Sequence, residues 1–223
     1  MTTLPTRTVA NVCIPDTPLI SAAAAFAQKH NSPATYNHVQ RSLLLGFIIA
    51  DQLFPSRDRE AHAVAALLHD LGFPLGHSFS STIISKDKRF EVDGANAARE
   101  FLRREGKAGE WDRHRVQLVW DAIALHTIGS IVFEKEEEVR SCAYGIWADF
   151  QGPDRVVGGL LSWEAYGAVV KDNMCHLCVT KPDTTIDNTV GEWGEKFVEG
   201  YSRVGKRASD MLQTCDLDDI ELK

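Results

Sequence analysis

The chain has 223 residues, enough to bury a substantial core as one large domain or two small ones. Its 24 basic and 31 acidic residues give a formal charge of -7, and no basic stripe interrupts that acidity. This excludes a nucleic-acid backbone as the main partner, because nothing is present to displace its counterions. The five cysteines (Cys13, Cys142, Cys175, Cys178 and Cys215) are an odd number, which fits a reducing compartment better than a disulfide framework. Arg7 is the one basic residue ahead of Lys29, and the small apolar run Ala22 to Ala25 is too weak for a signal or a membrane span. A cytoplasmic protein without membrane contact is the expectation.

Residues 1–15 read as a flexible arm. Asp16-Thr17-Pro18 supplies a helix start, with an acceptor side chain near the cap and proline in the first turn, and the alanine-rich run to Lys29 continues it. After the break at His30-Asn31-Ser32-Pro33, a second helix is predicted over 34–53, with His38 in its first turns. The third, from Asp58 to Asp70, is too densely apolar for a surface position and belongs in the core. Pro74, Gly76 and the serines at 78, 80 and 81 mark a loop over 72–89, placed to act as a lid. Further helices are predicted over 92–104, 111–126 and 134–150, the last acidic at its start as the helix dipole favours. Gly158-Gly159 and Pro182 punctuate shorter segments, followed by helices over 188–201 and 204–212. With no repeat and no alternating strand pattern, the fold class is all-α: a single helical domain over 16–223 that packs around a five-helix centre.

His69-Asp70 is the most informative pair in the chain. It closes an apolar helix, is followed by Leu71-Gly72, and sets two good metal ligands side by side. His38 upstream and Asp149 downstream complete a set of two imidazoles and two carboxylates, donors that suit zinc, iron or manganese. These four converge only if three helices pack together; a chance distribution of polar residues is the competing reading.

The ordered combination resembles the HD domain superfamily of metal-dependent hydrolases and lyases. The likeness runs from about Tyr36 to Asp154, a motif core of 34–154. Tyr36-Asn37-His38 with Arg41, Ala66-Leu67-Leu68-His69-Asp70-Leu71-Gly72, the segment Arg89 to Ala95, and Ala122-Ile123-Ala124-Leu125-His126 all look like the cyanamide-hydratase-like branch. The resemblance implies one metal held by His38, His69, Asp70 and Asp149, with zinc the first choice and iron the second. It implies hydration or hydrolysis of a small substrate, with His126 facing the reacting group; in that branch cyanamide becomes urea. Some HD phosphohydrolases carry a lysine four positions past the motif aspartate, where this chain has Pro74. The adjacent histidine pair of the two-metal branch is also missing between His69 and Asp149. Both departures favour a single-metal site.

His126 is the candidate proton donor, since imidazole titrates near neutral pH, and Asp70 is the alternative shuttle. Asn37, Arg41, His77, Trp120 and Trp147 are candidates for the substrate pocket, with Arg41 the evident cation for an anionic substrate. Asp154 is the rival of Asp149 as ligand. His62 reads as core or surface, His114 as an exposed helix residue, and Cys175-His176-Leu177-Cys178 as helix packing, because no second pair exists to complete a zinc site. Three functions stay open: a hydratase of cyanamide or a related nitrile-like compound, a phosphohydrolase of a nucleotide or small phosphate ester, and a non-catalytic helical binder. The expected partner is a small molecule. The apolar stretches Val156 to Leu161 and Val169 to Met174 leave a homo-oligomer open.

Overall fold

The computed structural model describes residues 4–73, 82–150, 163–207 and 210, with 163–169 as backbone alone. Five of the described helices begin where a side-chain acceptor stands ready for the unpaired amides of a first turn. Thr17 caps α1 (Pro18–His30) and Ser32 caps α2 (Pro33–Leu53). Asp58 accepts from the amides of Glu60 and Ala61 to open α3 (Arg59–Leu68). After α4 (Phe90–Glu105), Asp112 opens α5 (Arg113–Leu125) in the same way. A short α6 (Gly129–Val132) occupies what reads in sequence as a break, and α7 (Glu137–Phe150) follows. Beyond it, α8 (Trp163–Thr180) is one long helix where shorter segments were expected. Asn188 caps α9 (Thr189–Phe197), which stops before the predicted 201. The predicted helix over 204–212 begins instead as a turn, and 208, 209, 211 and 212 lie outside the described residues, as does Gly158-Gly159.

The amino-terminal arm is not the flexible segment the sequence suggests. Strands β1 (Thr6–Val9) and β2 (Val12–Pro15) pair antiparallel, with Val9 opposite Val12. Ala10 and Asn11, between them, both have positive φ (47° and 65°), the backbone twist that a tight two-residue hairpin requires. Val12 and Ile14 turn into the core against α2 and α3, and this burial holds so short a ribbon in place. Its other strand is largely exposed and carries no apolar stripe, so the alternation is hard to see in sequence.

Every residue of α3 from Ala61 to Leu68 is buried, as its all-round apolar character predicts. His62 is among them, with no exposed surface. Its ring stacks on Phe47 at 4.5 Å, and its Nδ1 accepts from Arg57 Nε at 3.0 Å. Burial, reinforced by the charges of Arg57 and Arg59, drives this imidazole well below its usual 6.5. The unfolded chain therefore binds a proton that the folded chain refuses, so His62 stabilises the fold fully above about pH 6.5 and less as the pH falls below it. Urea titrations should give His62→Gln a shallower loss of stability than the wild type between pH 7 and 5. Equal slopes would remove His62 from the acid response.

Two glycines bring α2 and α7 unusually close. A Cβ on Gly145 would lie 2.1 Å from the Ser42 carbonyl oxygen and 2.7 Å from the Gly46 amide nitrogen. One helical turn from this crossing stand His38 on α2 and Asp149 on α7. A third glycine, Gly72, follows the His69-Asp70 pair and lets the start of α4 pack on it, since a Cβ there would meet the Phe90 carbonyl at 1.9 Å. The carboxy-terminal helices form a second apolar cluster, in which Val170, Met174, Leu177 and Val190 pack on Phe73 and Phe90. A buried ion pair, Lys181 Nζ to Asp93 Oδ2 at 3.1 Å, ties this cluster to α4. No helix among the described residues is long and apolar enough to cross a membrane.

Candidate metal centre

Three of the four predicted ligands meet. His38 comes from the second turn of α2, while His69 caps the end of α3 and Asp70 follows it. Ligand atoms of these three lie within 4.8 Å of one another, and all three residues are buried. His38 Nε2 is 3.1 Å from His69 Nε2, and Asp70 Oδ2 lies 3.7 Å from the first and 3.4 Å from the second.

Hydrogen bonding on the far sides of the rings fixes what these nitrogens offer. His69 Nδ1 lies 2.9 Å from the Ala66 carbonyl, which can only accept, so the proton sits on Nδ1 and Nε2 keeps its lone pair. His38 Nδ1 lies 2.6 Å from Asp149 Oδ2, and the same argument leaves His38 Nε2 bare. Two lone pairs and a carboxylate thus converge with no donor of their own, an arrangement that a shared proton or a cation relieves. Metal–nitrogen bonds of about 2.0–2.1 Å subtend nitrogen separations of roughly 3.0–3.4 Å, which matches the observed spacing. The residues fit a divalent ion.

The titration behaviour agrees with this description. Burial works to raise the Asp70 carboxyl, yet His69 beside it holds it well below the ordinary carboxylate range. Burial opposes charge on both histidines. Asp70 outweighs this at His69, whose imidazole is raised, whereas His38 remains lowered.

Asp149 departs from the expectation in this structure. Its carboxylate is not in the three-residue cluster but on the opposite nitrogen of His38. Arg41 explains the displacement: Nε donates to Asp149 Oδ1 at 2.6 Å and Nη2 to Oδ2 at 2.9 Å, a two-pronged clamp on a fully buried carboxylate. Arg41, read in sequence as a cation for the substrate, here holds Asp149, which orients His38 as carboxylates commonly orient ligating histidines. Asp149→Asn should weaken metal binding by about 10- to 100-fold while leaving stoichiometric binding attainable at high metal, as titration with zinc or iron would show. Loss as complete as that of a missing histidine would instead make Asp149 a direct ligand of the loaded protein.

The cluster opens into a cavity of about 200 Å³. His38, Asp70 and His126 line its polar end, and Phe73, Phe90, Ile146 and Trp147 form much of the wall nearby. Trp147 lines this cavity, and its Nε1 donates to the His126 carbonyl at 3.0 Å. Trp120 is not: Asn96 accepts from its indole at 3.1 Å and Arg99 covers its ring. Asn37 is absent from the lining. His77 and Asp154 lie outside the described residues. His114 is exposed, as expected. Cys178 is buried and donates to the Val190 carbonyl, the packing role that the lone pair of cysteines suggests.

His126 is brought beside His69, ring centroids 5.1 Å apart, but its state differs from that of a proton donor. Its Nδ1 donates to the Ile123 carbonyl at 2.7 Å, leaving the Nε2 lone pair as an acceptor. Burial, then the neighbouring His69, pushes the imidazole down to about 4, so it is neutral at physiological pH.

Behind His126 stands a group to which the sequence reading assigned no role. Glu91, fully buried, accepts from Arg89 Nη2 at 2.7 Å and from Thr127 Oγ1 at 2.6 Å. Burial would raise its carboxyl, but the Arg89 pairing prevails and lowers it. The spacing Arg89-Phe90-Glu91 was visible; its meeting with Thr127 required α4 and α5 to pack.

No curated protein and no solved structure matches the chain. The family model described as HD domain matches residues 35–143, a stretch that includes His38, His69, Asp70 and His126 and ends before Asp149. Over that stretch this largely helical chain is similar to HD domains.

Proposed function

We propose that the chain is a metal-dependent hydratase that adds water to cyanamide or a related small, uncharged, nitrile-like compound. HD domains are typically metal-dependent hydrolases, and the buried His-His-Asp cluster suits the metal. The observation that favours an uncharged substrate is the lining of the cavity: among the described residues it contains no lysine and no arginine. Beyond the metal itself, a phosphate ester would meet no lysine or arginine on this lining, because the nearby Arg41 is engaged with Asp149.

A divalent ion bound here would lower the pKa of water and polarise the substrate. His38, His69 and Asp70 would hold it, with Asp149 and the Ala66 carbonyl keeping both ring protons off the converging nitrogens. His126, neutral and with its Nε2 lone pair available, is suited to accept a proton from water; it would then return that proton to the substrate nitrogen. Phe73, Phe90 and Ile146 restrict competing solvent.

The test is urea formation from cyanamide by zinc- and iron-loaded protein, run beside hydrolysis of a nucleoside monophosphate. Metal-dependent urea supports the reading. Release of inorganic phosphate without urea would replace it with the phosphohydrolase alternative.

A further inference from the structure

The cavity is larger than cyanamide needs, and its excess room has one chemical character. At about 200 Å³ it has space for several waters, each with a share of liquid volume of about 30 Å³. Cyanamide has only three non-hydrogen atoms. An apolar protein cavity of about 150 Å³ suffices to bind benzene.

The polar atoms sit at one end, with His38, Asp70 and His126. From α8 and α9 come Val170, Met174, Val190 and Trp193, which pack together in a separate apolar cluster. Three further polar groups on the wall are engaged: Thr189 Oγ1 donates to the Thr127 carbonyl, Thr127 Oγ1 to Glu91, and Trp147 Nε1 to the His126 carbonyl. Apart from the Trp193 indole N–H, what the α8 and α9 residues leave toward the cavity is mainly carbon and π surface.

This wall is well anchored. Lys181, just past α8, pairs with Asp93 of α4 in the interior, and Cys178 of α8 bonds the Val190 carbonyl of α9. It also lies outside the matched stretch 35–143, so its shape is a feature of this chain beyond the HD-like stretch.

We infer that the site takes an uncharged substrate bearing one benzene-sized apolar group. Met174, Val190 and Trp193 recognise that group while the reacting group faces His38, Asp70 and His126. The inference rests on the hydratase reading for the reaction but not for binding. For a nitrile the step is balanced by water alone: both O–H bonds and both carbon–nitrogen π bonds break, a carbon–oxygen double bond and two N–H bonds form, and the product is the amide. Both protons end on nitrogen and nothing leaves.

Benzonitrile is the probe, with acetonitrile and cyanamide beside it, on the metal-loaded full chain. Binding is read by calorimetry and by shifts of the Met174 methyl and Trp193 indole signals in the wild-type protein; turnover is read as benzamide. The expected result is saturable binding that shifts both signals, with kcat/KM about 10- to 100-fold above that for acetonitrile. Met174→Trp, which fills the cavity, should weaken benzonitrile binding by about tenfold or more. Absence of binding, or binding that leaves both wild-type signals unmoved, would overturn the inference even if cyanamide is hydrated. Binding at this wall without amide formation would support the ligand class and count against the hydratase reading instead.

Discussion

Gly145→Ala is expected to destabilise the protein by about 3 kcal/mol or more, against the usual sign of such a change. In an unconstrained helix interior, replacing glycine with alanine stabilises by roughly 1 kcal/mol. Here the new methyl would lie 2.1 Å from the Ser42 carbonyl and 2.7 Å from the Gly46 amide. Both obstacles are backbone, so no side-chain rotation relieves the overlap, and α2 and α7 must separate. Separation also lengthens the His38–Asp149 contact one turn away, so metal affinity should fall together with the urea midpoint. A midpoint equal to or above that of the wild type would show that the crossing has room to spare and that the site does not depend on it.

The second large effect is on chemistry. His69→Ala should abolish stoichiometric metal and reduce metal-dependent turnover by about 10³-fold or more. An uncoordinated water near pKa 15.7 then replaces one brought close to 7. His69 Nε2 faces both His38 Nε2 and Asp70 Oδ2, so its removal takes away the donor that adjoins both of the others. Elemental analysis and turnover on the same sample provide the check. Retained metal with lost activity would move the ion away from this cluster and leave His69 a different role.

Much of the centre was legible because its signals are local. His69 and Asp70 are adjacent and end an apolar helix, and the caps at Thr17, Ser32, Asp58 and Asp112 need only the residues that follow them. The amino-terminal hairpin was missed because its pairing is confirmed only by the burial of Val12 and Ile14 against distant helices. Trp120 and Trp147 illustrate the limit on pocket residues. Both are tryptophans on apolar helices, but helix packing turns one toward Arg99 and the other toward the cavity.

The sequence by itself determined the helical class, the central position of α3 and the identity of the histidines and aspartates that could bind metal. Periodicity, caps and an adjacent ligand pair are properties of a single segment. Only the tertiary structure decided how those groups divide their work. Arg41 draws Asp149 onto the far nitrogen of His38, the Ile123 carbonyl fixes the His126 tautomer, and α8 and α9 give the cavity its apolar wall. Each of these depends on contacts between helices distant in the chain or on the direction of one hydrogen bond, and neither is encoded in residue spacing.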